Sequence, residues 1–203
     1  MLVIIDYDAG NTYNVKKAFD YLKIPTTLTA DPQQIKNCDG MILPGVGAFG
    51  PAMATLQERG LANLIKHEAL AGKPLLGICL GMQMLFENST EYGNHAGLGL
   101  IPGKVVAFPT ETNYRVPQMG WNQNQLLQSK KDFDFLANEY TYFVHSYYVK
   151  CDLKYIVTAA DYGVQVPALV RRQQIYGTQF HPEKSGAVGL RVLQTFAQKA
   201  VAK

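Results

Sequence analysis

The sequence predicts a single α/β domain spanning residues 1–203, with a mixed, mostly parallel central sheet flanked by helices. Three observations predict it. Short apolar runs alternate with amphipathic segments through the first half, the rhythm of a doubly wound parallel sheet. One of those runs, Pro74-Leu75-Leu76, leads into the glycine-flanked Gly77-Ile78-Cys79-Leu80-Gly81, a strand-to-helix turn. The second half changes to successive strand-like segments without long helices between them, which makes the sheet mixed.

Each element has its own reason. Leu2–Ile5 reads as a strand buried on both faces, and Asp8-Ala9-Gly10-Asn11 breaks it. Val15, Ala18, Phe19 and Leu22 recur at i, i+3, i+4 and i+7, one face of a helix. Residues 25–29 and 40–43 read as the second and third strands, and 44–50 as a glycine-rich loop. Residues 51–71 read as helical with a break near Gly60. After the cysteine, Met82, Leu85 and Phe86 are expected to begin a helix. Residues 103–108, 141–149, 155–160, 168–171 and 175–179 read as strands, and tyrosines placed among them suit half-exposed β surface. From Gly186 onward, Val188, Val192, Phe196 and Ala200 are spaced by four and predict a closing helix. No repeat, low-complexity tract or linker divides the chain.

Composition narrows the function classes. Hydrophobic content of 47% with 17% charged residues fits a soluble globular protein. A net charge of +3, with no basic run longer than Lys130-Lys131 or Arg171-Arg172, does not suit nucleic-acid binding. No apolar stretch approaches the ~20 residues of a membrane span, and the N-terminus reads as a strand rather than a signal peptide. Three widely spaced cysteines form no CxxC and no even disulfide framework, so a cytoplasmic setting is expected. No cofactor and no metal is expected, because histidines and cysteines form no ligand-spaced cluster.

The chemistry centres on Cys79. A sharp turn at the end of a strand exposes the sulfur, flanking glycines let the backbone fold tightly around it, and a following helix N-terminus favours the reactive thiolate. The plainer reading is a buried structural cysteine; the glycines and the strand-to-helix switch argue against it. Tyr176-Gly177-Thr178-Gln179-Phe180-His181-Pro182-Glu183 supplies the rest: a strand delivers His181, Pro182 turns the chain, and Glu183 follows. A cysteine nucleophile needs a base, and the base needs an orienting carboxylate. His67 and His95 lack such context, and His145 in Phe143-Val144-His145-Ser146-Tyr147 reads as structural or substrate-proximal rather than as the base.

These stretches carry a resemblance. Gly-x-Cys79-x-Gly-x-Gln83 with a distant Gln-Phe-His181-Pro-Glu183 resembles the class I (triad) glutamine amidotransferases. Gly10-Asn11 with Asn14, Pro44-Gly45-Val46-Gly47, residues 97–103, Met119-Gly120-Trp121-Asn122 and His181-Pro182-Glu183-Lys184-Ser185 narrow it. Together they resemble the glutaminase subunits of imidazole glycerol phosphate synthase, over nearly the whole chain. One departure is Gln118, where that family often has histidine before Met119.

The resemblance implies a class I amidotransferase-like fold and L-glutamine as substrate. Cys79 would attack the carboxamide, His181 would move the proton and Glu183 would orient the imidazole. Backbone amides of Leu80 and Val46 would form the oxyanion hole. The loop around Val46 has neither a dinucleotide fingerprint nor the lysine and hydroxyl of a P-loop, so an oxyanion strand is the better reading than a phosphate cradle. Gly47, Gln83, Glu91, Ser146 and Tyr147 would hold glutamine, with Glu91 on its α-ammonium; an ordinary solvated acid is the alternative for Glu91. A cyclase subunit would be the heterodimer partner, docked through Asn11, Asn14, Trp121 and Lys184, and would join the ammonia to phosphoribulosylformimino-AICAR-phosphate. Rival expectations are a paralogous glutaminase feeding another synthase, a stand-alone cysteine hydrolase, and a catalytically silent interaction subunit.

Overall fold

Strand β1 (Leu2–Ile5) alternates its side chains between two helical layers, and this alternation organises the molecule. Leu2 and Ile4 face one apolar layer, shared with Val15 and Phe19 and with Val192 and Phe196. Val3 and Ile5 face the other, shared with Met53, Leu56 and Ile65. All four residues of β1 are buried, and each large aliphatic side chain removed from water contributes about 1.5–3 kcal/mol. The computed structural model describes residues 1–8, 11–110 and 114–201. Ala9 and Gly10 of the expected chain break lie outside the described residues.

The first half follows in order: helix α1 (Thr12–Tyr21), β2 (Thr26–Thr29), α2 (Pro32–Asn37), β3 (Gly40–Gly45), α3 (Phe49–Glu58), α4 (Leu61–Leu70) and β4 (Leu75–Cys79). Gly60, at φ 69°, separates α3 from α4, as the expected break requires. Helix α2 was not anticipated, although Asp31 caps it by accepting from the Gln33 amide at 2.7 Å and Pro32 opens it.

After the cysteine the chain departs from expectation. Helix α5 (Leu80–Gln83) is a single turn, not the start of a long helix. Met82, Met84, Leu85 and Phe86 are all fully buried, so this stretch has no solvent face. The Met84, Leu85 and Phe86 carbonyls accept instead from the amides of Leu98, Leu100, Ile101 and Gly99 at 2.8–3.0 Å, which removes the acceptors a helix would use. Short strands β5 (Asn88–Ser89), β6 (His95–Ala96) and β7 (Lys104–Ala107) follow.

The second half holds β8 (Gln118–Gln123), β9 (Gln125–Leu126), β10 (Tyr140–His145), β11 (Tyr147–Lys150), β12 (Ile156–Asp161), β13 (Gln165–Arg172) and β14 (Ile175–Thr178), then helix α6 (Gly186–Val201). The expected single strand over 141–149 is two strands in different sheets, parted at Ser146. β10 pairs with β8 as an antiparallel ribbon, and β11 belongs to a four-stranded sheet ordered β11-β7-β5-β6. The main sheet has eight strands ordered β2-β1-β3-β4-β14-β13-β12-β9. Its first five strands run parallel and the rest antiparallel, so it is mixed and, at its centre, parallel. That centre matters most, because β4 lies between β3 and β14 and all three end on one side.

Candidate active site

Cys79 closes β4 with φ 54° and ψ −110°, a conformation side chains disfavour. A residue held so costs on the order of 1–3 kcal/mol and persists only where its surroundings impose it. Here the constraint is visible. A Cβ on Gly81 would lie 1.8 Å from the Leu43 carbonyl oxygen, so only glycine lets the turn pack against β3. The same register places Gly45 beside Cys79, and Val46 and Gly47 follow as exposed residues at the mouth of a cavity.

His181 and Glu183 arrive from the neighbouring strand. Thr178 of β14 pairs with Ile78 of β4, so three further residues bring His181 alongside the sulfur. The Glu183 side chain is fully buried, and its Oε1 lies 2.8 Å from His181 Nδ1. That leaves Nε2 of the imidazole for Cys79. Burial opposes the charged imidazolium, but hydrogen bonds to Cys79 and Glu183 and their electrostatic pull on the ring outweigh it, raising the His181 pKa to about 9. The Cys79 thiol reaches the Val144 carbonyl at 3.9 Å, and Gln179 Nε2 donates to its sulfur at 3.8 Å.

The cavity above the sulfur encloses about 390 Å³, room for a small amino-acid substrate. Val46, Gly47, Cys79, Leu80, Gln83, Glu91, Ser146, Tyr147 and His181 all line it, joined by Pro117, Val144, His145 and Lys184. Every candidate catalytic, oxyanion and substrate residue therefore meets here except Glu183, which stands behind His181. Glu91 is not a plain solvated acid: it is buried and accepts from the Phe49 amide at 2.7 Å, at the N-terminus of α3, where negative charge is favoured. His145 Nδ1 lies 2.8 Å from the Tyr147 carbonyl. Burial first, and then the charge of His181, push the His145 pKa down to about 4 despite that bond, so it is neutral at pH 7.

The expected interface residues cluster beside the triad. Asn11 donates to Glu183 Oε1 at 3.0 Å, and Asn14 donates to Asn11 at 2.7 Å. Lys184 lies over the Tyr142 ring at 5.9 Å, and that ring meets Trp121 at 6.1 Å, edge to face. Trp121 is 54% exposed, which rules out core packing. Gln118 is fully buried under the β8–β10 ribbon and donates to Asn122 at 3.0 Å, so its departure from the family pattern concerns the ribbon's inner side.

Sequence reasoning singled out no role for Gln179, Pro117 or Val144. Gln179 alone left a signal, as the polar residue that opens the Gln-Phe-His181-Pro-Glu183 stretch at a strand end. Among the described residues, no group of three or more His, Cys, Asp or Glu side chains is placed to hold a metal. Among the same residues, no helix is long and apolar enough to cross a membrane.

Known proteins share this chain's sequence and fold. The family model for glutamine amidotransferase class-I matches residues 3–200. The chain is 58% identical over 198 residues to the imidazole glycerol phosphate synthase subunit HisH of Lactiplantibacillus plantarum, covering 98% of this chain and 95% of that one. It is 54% identical to the HisH subunit of Lacticaseibacillus casei at the same coverage. A crystal structure of a glutamine amidotransferase superposes with a TM-score of 0.77 at 18% identity, covering 98% of both chains, and so shares the fold. The chain belongs to the class I glutamine amidotransferases, within the HisH family of imidazole glycerol phosphate synthase subunits.

Proposed function

We propose that the whole chain, residues 1–203, is the glutaminase subunit of imidazole glycerol phosphate synthase, hydrolysing L-glutamine and passing the ammonia to a cyclase partner in histidine biosynthesis. The observation that carries the reading is the meeting of Cys79, His181 and Glu183 at adjoining ends of β4 and β14, in a chain of this family.

The chemistry follows from the geometry. His181 takes the thiol proton and the sulfur attacks the carboxamide carbon, giving a tetrahedral oxyanion. The amides of Leu80 and Val46 receive that charge. Collapse of the intermediate breaks the C–N bond as His181 returns its proton to the departing ammonia, leaving a γ-glutamyl thioester. Water then attacks with His181 as base, releasing glutamate and the free thiol. Glu183 keeps the imidazole in the orientation that presents Nε2 to the sulfur. Glu91 holds the substrate α-ammonium, while Gln83, Gly47 and the backbone at Ser146 and Tyr147 hold the rest. The partner docks on the face formed by Asn11, Asn14, Trp121 and Lys184, which contains the exposed Met119 and Tyr140. A catalytic thiol and two further free cysteines suit the reducing cytoplasm.

The test is reconstitution with a cyclase subunit and its acceptor substrate. Glutamine-dependent formation of imidazole glycerol phosphate and AICAR is the expected result. Glutamine hydrolysis without that product would favour a paralogue serving another synthase.

A further inference from the structure

Gln179 has no solvent exposure, and a buried amide must satisfy both its ends. Its orientation is not arbitrary. Gln83 Nε2 bonds two acceptors, the Tyr147 carbonyl at 2.8 Å and Gln179 Oε1 at 3.0 Å. Turning the Gln83 amide over would set its oxygen against the Tyr147 carbonyl, which can only accept, so its nitrogen stays where it is. With Gln83 fixed, Gln179 must present Oε1 to it, and its own Nε2 then points at Cys79 Sγ, 3.8 Å away.

The sulfur thus lies between opposite partners. The Val144 carbonyl, 3.9 Å away, accepts from an S–H and repels an S⁻. The Gln179 N–H does the reverse, because hydrogen bonds to the charged form favour it. We propose that Gln179 is a thiolate-stabilising residue of the nucleophile and that Gln83 is the positioning residue that holds its N–H on the sulfur. As the thiol proton moves to His181, the electron pair stays on Sγ, the contact with Val144 has no hydrogen left, and the Gln179 N–H takes the new charge. Gln83 also lines the substrate cavity. One amide therefore joins the wall that glutamine touches to the atom that attacks it. This inference rests on the glutaminase reading of the site.

The test follows the rate of Cys79 alkylation by iodoacetamide against pH, read by mass of the Cys79 peptide so that Cys38 and Cys151 are counted apart. Gln179→Met keeps the length and loses the donor. It should move the profile's midpoint up by about one pH unit, roughly tenfold slower alkylation below it. Gln179→Glu should move it at least as far, and Gln83→Met less far in the same direction. A purely packing role would lower Tm or slow alkylation at every pH without moving the midpoint. In the wild-type chain, the Gln179 side-chain amide resonance should titrate with the same midpoint, and in Cys79→Ala it should not. An unmoved midpoint in folded Gln179→Met, or a wild-type amide resonance flat across the titration, would overturn the proposal. Neither measurement involves turnover, so a failed glutaminase reading would show separately, as absent glutamate release by the reconstituted wild-type complex.

Discussion

Three cysteines on one chain meet three different surroundings, and substitution separates them. Cys38 is buried, its thiol held in the neutral form by burial and hydrogen-bonded to the Ile35 carbonyl at 3.1 Å; burial likewise pushes the Cys151 pKa up to about 12. Neither faces the cavity. Cys79→Ala should abolish glutamine-dependent synthesis while leaving synthesis from added ammonium salt intact in the complex, and Cys38→Ala and Cys151→Ala should keep both. At the base, loss of His181 should cost roughly 10²–10⁴-fold in glutamate release. Glu183→Gln should cost less, because the carboxylate acts only through the imidazole; steady-state assays of the two variants check the order. The His181 pKa, raised from 6.5 to about 9, also sets a pH limit. The fold stabilises the protonated ring, so that contribution is complete below about 6.5 and is lost as pH rises through about 9. Glutamate release should fall over the same upper range, because the departing ammonia then lacks its proton donor. The measured midpoint will belong to the Cys79–His181 pair rather than to one group.

Two glycines near the nucleophile do different work, Gly81 in its turn and Gly47 in the loop after β3. Gly81→Ala would press a methyl into the Leu43 carbonyl in a turn with no room to yield, so loss of the folded protein is expected, read as insoluble expression or a collapsed Tm. A Cβ on Gly47 would meet nothing within 4 Å, but its φ of 90° is one that other residues rarely adopt. Gly47→Ala should therefore fold normally and lose turnover by about 10²–10³-fold, the typical loss when one oxyanion donor is displaced. Much at this scale was legible in the sequence. The parallel strands announced themselves as short apolar runs, and α1 and α6 through i, i+4 spacing. The split at Ser146 was not legible, because the chemistry of 141–149 is uniformly strand-like. Only the burial phase changes: Thr141, Phe143 and His145 are buried, then Ser146 is exposed, Tyr147 half-buried, and Tyr148 and Val149 both buried. The triad was legible because each member sits in a local pattern. The contacts of Gln179 and Val144 were not, since they join residues 65 to 100 positions apart.

At the scale of the molecule, the cavity is walled by three sheets. The main sheet carries Cys79 and His181, the β8–β10 ribbon carries Val144 and His145, and the four-stranded sheet begins at Tyr147. A glutaminase that runs without its partner wastes ammonia, so the isolated chain should release glutamate very slowly. Cyclase should raise the rate, and cyclase with acceptor ligand should raise it by orders of magnitude. Equal rates under the three conditions would remove partner control while leaving the triad chemistry standing. Trp121→Ala should weaken docking, seen as a higher Kd for the cyclase, with little effect on the subunit's own Tm. Asn11 would give that control a route, because it donates to Glu183 and accepts from the exposed Asn14. The β8–β10 ribbon would give another. β10 is tied to the segment that carries the base: the His181 amide donates to the Tyr142 carbonyl at 3.0 Å, and the Tyr142 amide donates to the Ser185 hydroxyl at 3.0 Å. The ribbon's register sets the exposed Met119 directly opposite Val144, whose carbonyl faces the sulfur, so the outer surface and the nucleophile's neighbour are one strand pair apart. A partner seated on Met119 would therefore bear on the strand pair that presents this carbonyl to Cys79, without needing to reach the nucleophile itself.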